Sequence, residues 1–546
     1  MDKGRPVHEA ENRLERLTAD RATILAEVER RVFDRLLAAA ARAPEQSLEY
    51  VLNDVAYCEL RRLEAPGAGK GAERWRDLSR RLRGMSEADK QRELRALISH
   101  YGHDVVGNFD PRVYKFATGV GPSLMGFLLS PIGSVREGLS AMRTLEQRVQ
   151  VDGALDVVRT CAERGTLVVT PTHSSNMDSP AIGFALLRAG LPPVTYGAGK
   201  NLFSNPFISF FMRNLGAYRV DRRLRFELYK DVLKEYSTVL LERGYHSLFF
   251  PGGTRCRSNM IEKHLKLGLL GTTVTAYKHH VAAGNPGKRI YIVPATINYR
   301  IVLEAETLIA DFLAEAGKNR YIIDDDEFSR LGRIVDFFRK ILALEGSVIV
   351  RLGRPLDPFG NEVDDDGESR DRAGRLVDPA SYVRGADGQV TDDDQRDAEY
   401  TRTVGRRLAA AYPRLTVFHA TSLLARVLYD RAAAGAGTRD VYRLLRAPAS
   451  VLAGSLVDVL SDLDALRAEL AAQPDAGSEH PLVAGMSSTE LVDDALRALA
   501  SYHSKAAVER RGDQLVITDL NVLYYYQNRT AHLVRRAGRA GAGGAS

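Results

Sequence analysis

At 546 residues, with 45% hydrophobic and 27% charged positions, the chain carries enough apolar material for folded cores and is neither fibrous nor wholly disordered. Lysine and arginine number 76 against 70 acidic residues, a net charge of +6, which suits an anionic partner without choosing among phosphorylated substrates, anionic lipid and nucleic acid. Cys58, Cys161 and Cys256 lack disulfide or metal-ligand spacing and favour a reducing compartment, and the polar start Met-Asp-Lys-Gly-Arg-Pro lacks a secretory signal's apolar stretch.

Residues 1–108 read as a helical region, with Leu14, Leu17, Ile24, Leu25, Val28 and Val32 near helical spacing and a break at Ala65 to Gly71. From Phe116 to Val135 no residue is charged, yet Gly119, Gly121, Pro122, Gly126, Pro131 and Gly133 argue against a spanning helix. An interfacial membrane contact and a buried helix-loop segment fit that stretch equally. Within 109–355, short apolar runs alternate with longer amphipathic ones: Leu167 to Thr170, Val194 to Tyr196, Ser247 to Phe250, Ile290 to Val293 and Ser347 to Val350. The expectation is an α/β domain with a mixed, mostly parallel sheet flanked by helices, its chemistry on the loops leaving the strands.

Residues 356–399 contain the triples Asp364 to Asp366 and Asp392 to Asp394 with several glycines, and read as an exposed acidic insertion or linker, since calcium-loop spacing is missing. Residues 400–535 return to helices with a hairpin around Gly512-Asp513, and 536–546 form a Gly/Ala-rich disordered tail. No basic recognition helix stands beside the hairpin, which argues against nucleic-acid binding. No internal repeat is evident.

The chemistry concentrates in Thr172-His173-Ser174-Ser175-Asn176-Met177-Asp178-Ser179-Pro180, directly after an apolar strand and before a helix opened by Pro180. A carboxylate five residues after a histidine can meet it across one turn, fix the imidazole tautomer and leave the other nitrogen as a base toward an alcohol. The same residues also make an ordinary capped helix start, with Ser174, Ser175 and Asn176 as caps. Two further strand-end loops present guanidinium groups, Arg222 and Arg223 on one and Arg255 and Arg257 on the other. Such forks match phosphate oxygens, and Gly252, Gly253 and Thr254 let backbone and a hydroxyl approach a ligand. Lys200 and Asn201 occupy a third loop, followed by Leu202, Phe203, Phe207, Phe210 and Phe211, a cluster that suits core packing or the lining of an acyl pocket.

With these blocks in view, the chain resembles the glycerol-phosphate acyltransferase superfamily, whose first motif is a His and an Asp separated by four residues. Gly216 to Arg223 looks like its second motif, Phe250 to Arg257 its third and Ile292 to Ala295 its fourth, in the family's order. Flanking runs at Arg339 to Leu344, Leu352 to Gly360 and Leu523 to Arg529 look like the long bacterial and mitochondrial glycerol-3-phosphate branch. Two departures stand out: Gly252 replaces the usual Glu of the third motif, and Val220-Asp221-Arg222 looks more like the lysophosphatidate branch.

The resemblance implies transfer of an acyl group from acyl-CoA or acyl carrier protein, as co-substrate, to glycerol 3-phosphate. His173 would be the base and Asp178 its partner. Arg222, Arg223, Arg255, Arg257, Thr254 and Lys200 would hold the phosphate, and Gly252 and Gly253 would offer backbone contacts to the oxyanion. It implies no metal and no permanently bound cofactor, and a peripheral or monotopic place on the cytoplasmic side of a membrane. Lysophosphatidate is the alternative acceptor, Pro294 shapes the site wall, and the alternatives of another class are a serine hydrolase using Ser174 or Ser175 and a catalytically silent lipid-binding protein.

Overall fold

The computed structural model describes residues 13–64, 71–119, 149–203, 206–316, 348–501 and 503–533. Most of the uncharged stretch from Phe116 to Val135, the run Arg339 to Leu344 and the Gly/Ala-rich tail lie outside the described residues.

The helical front consists of α1 (Leu17–Arg42), α2 (Leu48–Leu63), α3 (Ala72–Arg81), α4 (Glu87–Val105) and α5 (Pro111–Gly119). Ser47 and Ser86 cap α2 and α4 by accepting from the Tyr50 and Asp89 amides. The apolar stripe of α1, with Ile24, Val28 and Val32 fully buried, packs on α4 and on a helix of the α/β domain, α9 (Glu227–Glu242), so the front is continuous with that domain. Arg31 of α1 meets Glu235 at 3.3 Å and Glu242 at 2.7 Å across the seam and Glu27 of its own helix at 2.5 Å.

Among the described residues the sheet holds seven strands: β1 (Val149–Gly153), β2 (Gly165–Pro171), β3 (Thr195–Gly199), β4 (Ala217–Val220), β5 (Ser247–Leu248), β6 (Arg289–Tyr299) and β7 (Val348–Leu352). Their order is β1-β7-β6-β2-β5-β3-β4, and β6, β2, β5, β3 and β4 run parallel while β7 lies antiparallel to β6. Helices cover both faces, which is why β2 and β6 read as nearly unbroken apolar runs with almost every residue buried. The crossover helices are α6 (Leu155–Arg164), α7 (Asp178–Arg188), α8 (Pro206–Asn214), α9 and α10 (Gly271–Ala282), with α11 (Ala305–Ala316) after β6.

Pro294 lies inside β6, where a residue without an amide hydrogen is usually excluded. On that side β6 changes partner: the Ile292 amide donates to the Leu356 carbonyl, and β7 pairing begins at Ala295. The missing donor falls at the switch. Pro294 is thus a strand residue, and the position expected to shape the site wall serves first to end one pairing and begin another.

Where an exposed acidic linker is expected, residues 356–391 form an anchored meander, so that assignment is corrected. Leu356, Phe359, Ala380 and Val383 are buried in the core under α10, and Asp357 is buried as well. A seven-residue period also appears, contrary to the expectation of no repeat: Asp357, Asp364 and Asp371 each accept the amides two and four residues on through Oδ1, and each is followed at the third position by a positive-φ glycine, Gly360, Gly367 or Gly374. The carboxylates close turns. A single 3-10 turn spans Pro379–Tyr382, and at the end of the segment α12 (Asp394–Leu415) begins at the second triple, capped by Asp393.

After α12 come α13 (Ala420–Ala436), α14 (Leu456–Ala471), α15 (Ser488–Ser501) and α16 (Leu520–Asn528), with the expected hairpin observed as Val508–Arg511 against Gln514–Ile517 and extended by Ala453–Ser455. α13 is buried nearly all round because the other three helices surround it. Its residues share one core with β2, β6, β7 and α7.

Candidate active site

β2 ends at Pro171 and α7 begins at Asp178, so the loop between them projects from the carboxyl edge of the parallel strands. Asp178 is fully buried and organises the loop: its Oδ2 accepts from the Ser174 amide at 2.6 Å, the Ser175 amide at 2.9 Å and His173 Nδ1 at 2.7 Å. Oδ1 accepts from the Tyr299 hydroxyl at 2.6 Å. Because a carboxylate only accepts, His173 carries its proton on Nδ1 and leaves Nε2 as a hydrogen-bond acceptor. Among the described residues Nε2 has no hydrogen-bond partner, and the side chain keeps 12% exposure, so the ring has access to solvent. The imidazole lies on the Phe250 ring with centroids 4.2 Å apart. Thus the capped-turn reading and the catalytic one describe a single arrangement, in which Asp178 serves both loop and imidazole.

Two carboxylates that the sequence alone did not single out complete the loop. Glu304 accepts from Ser175 Oγ at 2.7 Å, from the Asn176 amide at 2.9 Å and from Arg255 at 3.3 Å. Glu262 Oε1 accepts from the His173 amide at 2.8 Å, while its buried Oε2 has no hydrogen-bond partner among the described residues. Burial raises the pKa of both carboxyls, opposed at Glu304 by the Arg255 charge and at Glu262 by the His173 amide. Glu262, Tyr299 and Glu304 lie 89, 121 and 129 residues from their partners in the loop, a distance at which no local spacing marks them. Ser175 Oγ donates to Glu304 and accepts the Met177 amide, so it is committed to the loop and a poor nucleophile.

The turn carrying the third block sits directly on this loop, the Cys256 amide donating to the His173 carbonyl at 2.7 Å. Gly253 has φ +77°, a backbone state that favours glycine, whereas Gly252 does not. Arg255 therefore reaches the imidazole's neighbourhood. Arg222 is solvent-accessible and has no ion-pair partner among the described residues, although protein atoms crowd around it as in a cleft; this burial and then the Arg255 charge lower its pKa. Arg222, without an ion-pair partner among the described residues, and Arg255, paired with Glu304, thus concentrate positive charge at this edge of the site, the charge that draws anions.

The remaining predicted contacts are dispersed among protein partners. Arg223 folds back on Asp221 at 3.2 Å, Arg257 pairs with Glu315 of α11 at 2.7 Å, and Lys200 pairs with Asp104 at 3.0 Å and Asp221 at 3.4 Å. Thr254 is exposed on the turn. Within the aromatic cluster Phe210 is 51% exposed, and Phe211 stacks on Phe116 of α5, itself 38% exposed. Exposed Arg112, Lys115 and Arg213 lie on the same two helices, α5 and α8.

Residues 148–298 match the family described as Acyltransferase, and the loop, the third-block turn and Arg222 all fall inside that span. The chain carries an acyltransferase-family domain on a mostly parallel sheet. Within the family its similarity runs to glycerol-3-phosphate acyltransferases: that of Pseudomonas paraeruginosa is 29% identical over 171 residues, 31% of this chain and 20% of the relative, and that of Histophilus somni is 32% identical over 164 residues, 30% and 19% respectively. The chain thus spans about a fifth of the length of the curated relatives it matches. A solved lysophosphatidate acyltransferase from Thermotoga maritima shares 13% identity, with 57% of this chain and 94% of that one covered and a TM-score of 0.24.

Proposed function

We propose that the protein transfers a fatty acyl group from a thioester, acyl-CoA or acyl carrier protein, to a hydroxyl of glycerol 3-phosphate in phospholipid synthesis. The observation that carries this is the His173–Asp178 contact of 2.7 Å, with Nε2 left open on a loop that also meets Arg255. In the reaction His173 Nε2 takes the hydroxyl proton as the oxygen attacks the thioester carbonyl. A C–O bond forms, the C–S bond breaks, and the departing thiolate takes the proton from the imidazolium, giving an ester and a thiol. Asp178 opposes the transient positive charge on the ring. Arg222 and Arg255 hold the acceptor phosphate, and amides of the Gly252-Gly253 turn or of the loop before α7 face the developing oxyanion.

Lysophosphatidate is the second acceptor reading, favoured by Val220-Asp221-Arg222. No helix among the described residues is long and apolar enough to cross a membrane. Exposed Phe116 and Phe210, flanked by Arg112, Lys115 and Arg213, support peripheral attachment to an anionic surface. Purified protein given labelled acyl-CoA, or acyl carrier protein charged with the same chain, and either glycerol 3-phosphate or lysophosphatidate tests the reading. Labelled lysophosphatidate from the first acceptor is expected, and its loss in His173→Ala. Equal product from wild type and His173→Ala would remove the proposal.

A further inference from the structure

The third-block turn has a glycine where its family has a glutamate, and the structure supplies a physical reason. Gly252 does not have a positive φ, so its backbone would accept a side chain. What a side chain meets is Glu262: a Cβ at position 252 would stand 3.2 Å from Glu262 Oε1 and 3.3 Å from its Cγ. That same Oε1 accepts the His173 amide at 2.8 Å. A carboxylate therefore does stand beside the turn, supplied ten residues later in the chain, and the glycine leaves it room.

The geometry points to Glu262 as the positioning residue for the catalytic loop, a relocated carboxylate that holds the His173 backbone from the space over Gly252. This rests on the acyl-transfer reading. The His173 main chain is held on both sides, its amide by Glu262 and its carbonyl by the Cys256 amide, so the imidazole enters the site at an angle set by these two bonds. Among the described residues the buried Oε2 has no hydrogen-bond partner, so the contact Glu262 makes to the loop is the one through Oε1. A side chain at position 252 would thus press on Glu262, which would have to give by a few tenths of an ångström where it holds the His173 amide.

Reciprocal exchange tests this. With glycerol 3-phosphate and acyl-CoA, Glu262→Ala is expected to lower kcat about a hundredfold with KM little changed, the scale of a loop displaced by about 1 Å. Glu262→Gln keeps an oxygen for the His173 amide and should stay within about fivefold. Gly252→Glu alone crowds two carboxylates and should fall as far as Glu262→Ala, whereas the double variant Gly252→Glu/Glu262→Ala should recover to within about tenfold of wild type. An undiminished Glu262→Ala, or a double variant no faster than Glu262→Ala, overturns the assignment. A wild type that moves no acyl group defeats the acyl-transfer reading instead. In that case a crystal structure of the double variant decides the relocation, by whether the new carboxylate lies about 3 Å from the His173 amide or points away from it.

Discussion

Replacing Asp178 by asparagine removes one negative charge while keeping the size and most of the hydrogen bonds of the site. The amide oxygen can still accept from the Ser174 and Ser175 amides and from His173 Nδ1, and the amide nitrogen can face the Tyr299 hydroxyl. The lost interaction is the attraction between the carboxylate and the imidazolium formed as the hydroxyl loses its proton. Charge centres about 4 Å apart at an effective dielectric of about 20 attract by about 4 kcal/mol, which corresponds to about a thousandfold in kcat. The assay is initial-rate acyl transfer at saturating donor and acceptor, with thermal unfolding measured on the same samples. A kcat within threefold of wild type in a normally folded Asp178→Asn protein would refute the role given to this carboxylate. A parallel fall in both kcat and melting temperature would assign it to the loop's architecture alone.

Arg222→Gln should raise KM for the phosphorylated acceptor about 10- to 100-fold and leave the donor KM alone, since one charge-assisted hydrogen bond contributes about 1.5–3 kcal/mol; a shift confined to the donor would move the phosphate site elsewhere. Glu242 gives a pH signature: burial pushes its carboxyl up, but hydrogen bonds from His279 and Arg31 prevail and hold it at about 2. A depressed carboxyl stabilises the fold above its unfolded value near 4.5, and the contribution, about 3 kcal/mol, is lost as pH falls from there toward 2. Wild type should therefore outlast Glu242→Gln in thermal melts at pH 7 and converge with it near pH 2 to 3, and a gap independent of pH would contradict the assignment. Phe210→Asp should weaken sedimentation with anionic vesicles by about tenfold or more without changing turnover of a detergent-dispersed substrate; unchanged sedimentation would remove this patch from the membrane surface.

Residues that carry meaning through near neighbours in the chain were legible without coordinates. The five-residue step from His173 to Asp178 spans one turn between a strand and a helix, so local backbone geometry alone brings the pair together. The strands β2, β3, β5, β6 and β7 announced themselves as apolar runs because helices bury both faces of a parallel sheet. The meander after β7 is not legible in composition, because its aspartate triples are mostly solvated and the aspartates that accept backbone amides two and four residues on, Asp357, Asp364 and Asp371, include only one member of a triple.

Only tertiary packing could choose among the arginines. Arg255 and Arg257 are equivalent as sequence, and each meets a protein carboxylate, Glu304 or Glu315, brought near by the sheet order and by α11, whereas Arg223 folds onto Asp221, its neighbour in the chain. The same holds for Tyr299 and Glu304, whose hydrogen bonds to the His173 loop exist because β6 lies beside β2, and for Glu262, which follows β5 on the other side of β2. The chain by itself determined which chemistry the loop can perform, since an imidazole and a carboxylate one turn apart need no help to meet. The fold decided how firmly that pair is held and which guanidinium groups remain for a phosphate, because those contacts join segments far apart in the chain.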